Sequence, residues 1–161
     1  MGEIEYITLD SDYHFGWFDV AELFTQMYAR MEEMGLMLGL SEGGTAQWLK
    51  TAQNTSGKFG IVILARDGEK AIGFAHGMLK FLPDYLGGYT VGTITHIFVD
   101  EEERRAGVGR QLVYELEEWF RAKRVHSIEL QVISGNPTAQ EFWKDLGYAE
   151  ELLQYRKNCH R

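Results

Sequence analysis

The residues best suited to chemistry in this 161-residue sequence lie in one turn, between a predicted strand and a predicted helix. Gly107 and Gly109 remove side chains where an anion would touch the backbone, and a helix N-terminus offers unpaired N–H groups with a partial positive charge. Three arginines (Arg104, Arg105 and Arg110) can add charge-assisted hydrogen bonds. The turn favours a diphosphate site, although an ordinary glycine-rich turn with solvated arginines would show the same spacing.

The spacing of apolar residues predicts the helices and strands around this turn. Apolar residues three and four apart predict a helix over 20–34, and a second helix begins at Thr45. Residues 4–8, 61–65, 71–81, 90–99 and 128–132 have the pattern of strands, and Asp67-Gly68 predicts a hairpin turn. Further helices follow the glycine turn and Pro137, and a last strand is predicted over Glu151–Arg156. The order β-α-α-β-β-β-α-β-α-β predicts one α/β domain, residues 1–161, around a mixed sheet.

Composition and motif spacing exclude several function classes. The net charge of −8 makes nucleic acid a poor partner and a cationic ligand a plausible one. No apolar run is long enough to cross a membrane, and the one cysteine, Cys159, can form neither an internal disulfide nor a metal site alone, so a cytoplasmic location is expected. The dinucleotide fingerprint would need glycine where Leu112 stands, and no P-loop Gly-Lys-Ser/Thr follows.

Two blocks of the sequence resemble the acetyl-CoA motifs of the GNAT N-acetyltransferase superfamily. The first block is Val99 followed by Arg104-x-x-Gly107-x-Gly109. The second block consists of Val132, Asn136, Ala139, an aromatic residue at 143 and Leu146-Gly147-Tyr148. The resemblance covers nearly the whole chain, and residues 73–99 are most similar to the small-diamine branch. It implies an α/β GNAT fold, with a mixed, mostly antiparallel sheet flanked by helices and two splayed central strands that form the acetyl-CoA cleft.

The resemblance also implies which residues bind acetyl-CoA, with no metal. The end of the strand would pair with the pantetheine arm and supply an N–H to the thioester oxygen, and backbone N–H groups of the glycine turn would hold the pyrophosphate. The side chain of Asn136 would contact the cofactor. The full set implied is Ile97, Phe98, Val99, Arg104, Arg105, Ala106, Gly107, Val108, Gly109, Arg110, Asn136 and Trp143.

A base must take the proton of the attacking amine, and His96 is the best candidate. Many family members have an acidic pair at the positions of Thr95 and His96, so the proton route here must differ. A histidine titrating near neutrality suits the task, and strand alternation places Ile94, His96 and Phe98 on one face. A purely structural role for His96 is the equal alternative, and His76 is a weaker candidate for the base.

The departing thiolate needs a proton as well. The family usually has a tyrosine as general acid at the position filled here by Trp143, and an indole N–H is not a usable acid. Tyr148, Tyr155 or water would then protonate the thiolate, or the activity would be altered. Trp143 would also fit as a plain core aromatic residue.

The acceptor is weakly encoded. In this fold the first two helices, their connecting loop and the 82–90 loop form the acceptor wall, and here they carry carboxylates and aromatic rings. Such a wall suits a small cationic amine, such as a polyamine, an aminoglycoside or an amino-acid-like amine. Protein N-termini or lysines are the alternative acceptors, and a non-catalytic CoA-binding sensor is the alternative function. The family also makes a homodimer possible.

Overall fold

The computed structural model describes residues 3–10 and 14–160, without the side chains of residues 14 and 104–106. Its helices and strands are β1 (Ile4–Leu9), α1 (His14–Glu33), α2 (Gly44–Thr55), β2 (Gly60–Asp67), β3 (Lys70–Phe81), β4 (Thr90–Val99), α3 (Val108–Ala122), β5 (Ile128–Leu130) and α4 (Pro137–Asp145). Short 3-10 turns cover 84–86 and 101–106. The predicted order is confirmed as far as α4. The predicted strand over Glu151–Arg156 is wrong, because residues 148–160 have no regular secondary structure and pair with no described strand.

The strands within the described residues form one five-stranded sheet in the order β1-β2-β3-β4-β5. Every neighbouring pair is antiparallel except β4 and β5, which are parallel. The hairpin between β2 and β3 turns at Gly68, whose φ of +61° is a conformation that glycine adopts without steric cost. The sheet is therefore mixed and mostly antiparallel, as predicted.

Helices cover both faces of the sheet, and the alternation of β2 shows how. Ile61 and Ile63 pack with α3 on one face, whereas Val62 and Leu64 pack with α1 and α2 on the other. Burial of each such side chain contributes about 1.5–3 kcal/mol to the free energy of unfolding. Strand β2 therefore stabilises the packing of helices on both faces of the sheet. No described helix is long and apolar enough to span a membrane.

The position of α3 depends on one aromatic ring. A Cβ atom added to Gly92 would lie 2.6 Å from the ring of Phe120, and one added to Gly77 would lie 2.8 Å from it. The ring of Phe120 thus occupies the space that a side chain at position 77 or 92 would need. This close approach sets α3, and with it the preceding glycine turn, against the middle of the sheet.

A β-bulge interrupts strand β4. His76 of β3 lies opposite His96, whereas the next residue of β3 lies opposite Ile94, so Thr95 is an extra residue on β4. The extra residue reverses the side-chain parity: Ile94 packs on the α3 face, whereas Phe98 packs on the face covered by α1 and α2. The prediction that Ile94, His96 and Phe98 share one face is therefore wrong for Ile94.

Candidate active site

The outer edge of β4 opens just beyond Ile94. The parallel pairing with β5 covers Gly92, Thr93 and Ile94 and ends at the pair Ile94 and Leu130. In the part of the chain that the structure describes, the next residues of β4 form a ladder with β3 alone. The strands splay apart as expected, at the bulge. An open strand edge of this kind can receive an extended ligand by backbone hydrogen bonding.

The N-terminus of α3 lies directly after the end of β4 and the 3-10 turn. Gly107 has a φ of +76° and precedes the helix, and Gln111 N donates to Gly107 O at 3.1 Å. The N–H groups of residues 108–110 come before that bond, in the first turn, where an α-helix leaves its N–H groups without a helical partner. Among the described residues, a Cβ atom on Gly107 would meet nothing within 4 Å, whereas one on Gly109 would lie 3.3 Å from the ring of Phe142. With respect to the described side chains, the turn is therefore open at Gly107 and packed on α4 at Gly109.

The acidic residues before Gly107 are held by cations. Glu101 forms an ion pair with Arg30 of α1. Lys70 of β3 lies 3.5 Å from the Glu102 carboxylate and 4.0 Å from that of Asp100. Asp100 also accepts a hydrogen bond from the backbone N–H of Glu102 at 3.3 Å. These contacts join the turn to α1 and β3, and partly neutralise its carboxylates beside the predicted anion site.

The structure places most predicted cofactor ligands along this path. Ile97, Phe98 and Val99 form the end of β4, and residues 107–110 form the start of α3. The side chains of Arg104, Arg105 and Ala106 lie outside the described residues. Asn136 caps α4, its Oδ1 accepting from Ala139 N at 3.1 Å.

Three side chains form a hydrogen-bonded cluster at the bulge. Thr95 Oγ1 lies 2.5 Å from His76 Nδ1 and 3.1 Å from His96 Nδ1, and the two Nδ1 atoms are 3.3 Å apart. Thr95 Oγ1 also donates to the backbone oxygen of His76 at 3.0 Å. Because both rings are held through Nδ1, Nε2 is the nitrogen with which His96 can meet a substrate. The sequence identified both histidines but missed Thr95, since nothing in the sequence indicated the bulge that turns it toward them.

Burial keeps both histidines neutral. Desolvation lowers the pKa of His96 from 6.5 to about 4. Desolvation and the neighbouring charge of His96 lower the pKa of His76 to about 3. The expectation that His96 titrates near neutrality is wrong for the free protein, because the ring lies between helices rather than in water. At neutral pH, His96 is an uncharged imidazole, the form that accepts a proton.

An aromatic wall (Phe24, Tyr28 and Trp48) surrounds His96. The ring centroid of His96 lies 5.0 Å from that of Phe24, 5.5 Å from that of Trp48 and 6.1 Å from that of Tyr28. Phe24 of α1 stacks on Trp48 of α2 at 4.0 Å. Trp48 Nε1 and His76 Nε2 are buried without a hydrogen-bond partner in the described part of the protein. Phe24 lies in the helix that periodicity predicted over 20–34, but no pattern of residues indicated that Trp48 would meet His96.

Tyr148 and Trp143 lie on the other face of the sheet, in the α3 layer. The Tyr148 hydroxyl donates to Glu117 Oε2 at 2.8 Å, and burial together with that carboxylate raises the pKa of the phenol. Trp143 is buried and packs edge-to-face on Phe142 and Tyr148, with ring centroids 5.1 Å apart in both pairs. The structure thus does not bring Tyr148 together with His96.

The family model of the acetyltransferase (GNAT) family matches residues 17–148, a stretch that contains the splayed strands, the glycine turn and α4. The chain belongs to the GNAT family. It is an acetyltransferase in which strand β4 carries His96 at the bulge.

Solved structures show the same GNAT fold along the whole chain. The aminoglycoside N-acetyltransferase AAC(6')-Iy, in complex with CoA, is 18% identical with a TM-score of 0.77, covering 99% of this chain and 97% of that one. A tetramutant of the BH1408 protein from Bacillus halodurans is 22% identical with a TM-score of 0.79, covering 96% and 99%. The aminoglycoside acetyltransferase meta-AAC0020 from an uncultured soil metagenomic sample, in complex with sisomicin, is 17% identical with a TM-score of 0.72, covering 98% and 97%. No curated protein matches the sequence.

No three His, Cys, Asp or Glu side chains among the described residues lie close enough together to hold a metal ion.

Proposed function

We propose that this GNAT acetyltransferase moves the acetyl group of acetyl-CoA to a primary amine of a small cationic acceptor. Polyamines, aminoglycosides and amino-acid-like amines are the candidate acceptors. The observation that carries the proposal is the arrangement at the bulge of β4, where a neutral His96 stands between an open strand edge and an aromatic wall. The chain, residues 1–161, would act as one domain, as a cytoplasmic homodimer.

The donor site fits CoA on two independent features. The outer edge of β4 beyond the bulge can pair with the amide groups of a pantetheine arm. The first turn of α3 can hold a pyrophosphate, because its N–H groups point out of the helix and Gly107 leaves the approach open. The bound thioester supplies an acyl group activated for attack by an amine. A backbone N–H group of β4 that points to the open edge beyond the bulge would donate to its carbonyl oxygen.

The acceptor side is the face covered by α1 and α2. The half-buried rings of Tyr28 and Trp48 lie beside His96, and aromatic faces attract ammonium groups. The net charge of −8 concentrates cations near the protein. AAC(6')-Iy, crystallised with a bisubstrate analogue of CoA and acetylneamine, and meta-AAC0020 with sisomicin support a multiply charged amine as the acceptor.

His96 receives the proton that the amine loses. The amine nitrogen bonds to the acyl carbon, the carbon–sulfur bond breaks, and the amine proton passes to Nε2 of His96. His76 and Thr95 position the ring by holding Nδ1. Water protonates the departing thiolate, since Tyr148 is bound to Glu117 and its pKa is raised.

The test is release of free thiol from acetyl-CoA with a panel of diamines, aminoglycosides and lysine peptides. We expect turnover with the cationic small amines and little with the peptides. Saturable binding of acetyl-CoA without turnover on any amine would instead support the CoA-binding sensor, and preference for peptides would support a protein acetyltransferase.

His96→Ala tests the base. With the pKa of His96 near 4, the ring is neutral across pH 6–9 in the wild type, so we expect the variant to lose rate by about the same factor at every pH in that range. The factor should be roughly tenfold to 10²-fold, at the low end for general base catalysis, because a base with this pKa is weak. Unchanged turnover in His96→Ala would remove the histidine from the mechanism. His160→Ala is the matched control, because it removes a histidine at an exposed position in the C-terminal tail (residues 149–160).

A further inference from the structure

His76 and His96 face each other across the ladder between β3 and β4. Their rings are inclined at 12° to each other, with centroids 5.6 Å apart and Nδ1 atoms 3.3 Å apart. The separation of the centroids exceeds that of the nitrogens by about one ring diameter, so both Nδ1 atoms lie on the line between the ring centres. Each Nδ1 atom therefore points at the other, which is the arrangement of a hydrogen bond between two imidazoles.

This hydrogen bond requires one proton between the two nitrogens. Protons on both Nδ1 atoms would collide, and a proton on neither would bring two lone pairs together. A neutral imidazole carries one proton, on either Nδ1 or Nε2. Since burial keeps both rings neutral, His76 and His96 must be opposite tautomers.

Thr95 indicates which ring carries its proton on Nδ1. The Oγ1 atom of Thr95 lies 2.5 Å from Nδ1 of His76, a separation that is short for an N–H donor but ordinary for an O–H donor. Thr95 is therefore the donor, and its one proton is shared between Nδ1 and the backbone oxygen of His76. The same Oγ1 atom accepts from Nδ1 of His96 at 3.1 Å. Nδ1 of His76 is thus a bare acceptor, and Nδ1 of His96 carries the proton.

The surroundings of His76 agree with this assignment. With Nδ1 bare, the proton of His76 lies on Nε2, which is buried without a hydrogen-bond partner among the described residues. The ring of Trp48 is nearly perpendicular to that of His76, with centroids 5.4 Å apart, and Trp48 Nε1 does not donate to Nε2. An N–H group can bond weakly to the π electrons of a neighbouring aromatic ring, whereas a bare nitrogen would have no favourable contact there.

We propose that His76 is the positioning residue that fixes the tautomer of His96. His96 donates its Nδ1 proton to Nδ1 of His76, and this leaves Nε2 of His96 bare, as a base must be. When Nε2 takes the amine proton, the ring of His96 becomes a cation and its hydrogen bond to His76 becomes charge-assisted. The bond is then stronger in the transition state than before it, so its loss should lower kcat rather than raise KM. The effect on kcat rests on the proposed function, whereas the tautomers of the free protein do not.

Nitrogen NMR of the histidine rings in the full-length protein, without acetyl-CoA, tests the tautomers. A bare imidazole nitrogen resonates well downfield of a protonated one, and the His96→Asn variant identifies the signals of His96 by their loss. At neutral pH we expect the bare nitrogen to be Nε2 in His96 and Nδ1 in His76. The same tautomer in both rings, or a proton on Nε2 of His96, would overturn the proposal.

His76→Leu and His76→Asn form a matched pair, because the two new side chains have nearly the same shape and only the amide oxygen of asparagine can accept from His96. In the leucine variant the His96 proton should move partly to Nε2, whereas in the asparagine variant it should stay on Nδ1. We expect kcat of the leucine variant to be about three- to tenfold below that of the asparagine variant, with similar KM values.

Two results with this pair would show that His76 is only structural. One is a His96 tautomer that the leucine variant leaves unchanged. The other is an equal kcat in the two variants while His96→Ala still loses turnover. If His96→Ala instead kept full turnover with the tautomers as assigned, the proposed base would be wrong and the assignment of the tautomers would stand, so the two failures are distinct.

Discussion

Acidification should destabilise this protein through the two buried histidines. The pKa of His96 falls from 6.5 in an unfolded chain to about 4 in the native state. Between these two values the unfolded chain binds a proton that the native state does not, so the free energy of unfolding decreases as the pH falls from 6.5 toward 4 and is fully present above 6.5. His76 shifts in the same direction, with a native pKa of about 3.

The size of the effect follows from that difference. For His96 alone, lowering the pH from 7.5 to 4.5 should remove about 2.5 kcal/mol from the free energy of unfolding, with a steepest slope of about 1.2 kcal/mol per pH unit. This is a large share of the total, since domains of this size are stable by about 5–15 kcal/mol. Native carboxylates also titrate in this range, so the contribution of His96 must be isolated by comparison with a variant.

Urea unfolding at several pH values supplies that comparison. His96→Asn keeps a polar side chain beside Thr95 but removes the titrating ring, so its stability should fall less steeply than that of the wild type below pH 6.5. His160→Asn, at an exposed position in the tail, should follow the wild type. Parallel losses in the wild type and His96→Asn would show that the ring is solvated in solution, and the reasoning about the cluster at the bulge would be wrong.

Three further perturbations test other parts of the structure. Gly107→Asp should weaken CoA binding more than Gly107→Asn. Both side chains tolerate the positive φ and both have open space among the described residues, so calorimetry on the pair isolates the charge repulsion between the new carboxylate and the anion. The repulsion should be on the order of 1–3 kcal/mol, or about 5- to 150-fold in the dissociation constant, and equal affinities would argue against an anion at this turn. Gly92→Ala should lower the free energy of unfolding by roughly 1–3 kcal/mol in urea titrations, since the new methyl group would lie 2.6 Å from the ring of Phe120, and an unchanged midpoint would mean that α3 shifts freely. Tyr148→Phe should cost about 1 kcal/mol of stability through the lost hydrogen bond to Glu117 while leaving turnover within about threefold, whereas a large loss of kcat with stability intact would restore the phenol as the acid.

The strands and helices that carry the cofactor path could be predicted from residue types alone. The apolar run of residues 90–99 predicted β4 with its observed ends, and Gly107 with Gly109 marked the start of α3. Pro137 marked the start of α4, and the structure shows the side chain of Asn136 capping that helix. These features depend on backbone conformations and hydrogen bonds within a few residues of each other, and local residue types suffice to specify them.

The way in which these elements assemble the site could be seen only in the folded chain. The extra residue Thr95 becomes visible only when β4 is aligned against β3, and it is this residue that breaks the alternation and joins His76 to His96. The low pKa of His96 arises from helices that are distant in sequence, because desolvation depends on what packs against a ring rather than on its neighbours in the chain. The same reason explains the tail: a strand pattern becomes a strand only where a partner edge is in reach, and within this chain residues 151–156 find none among the described strands.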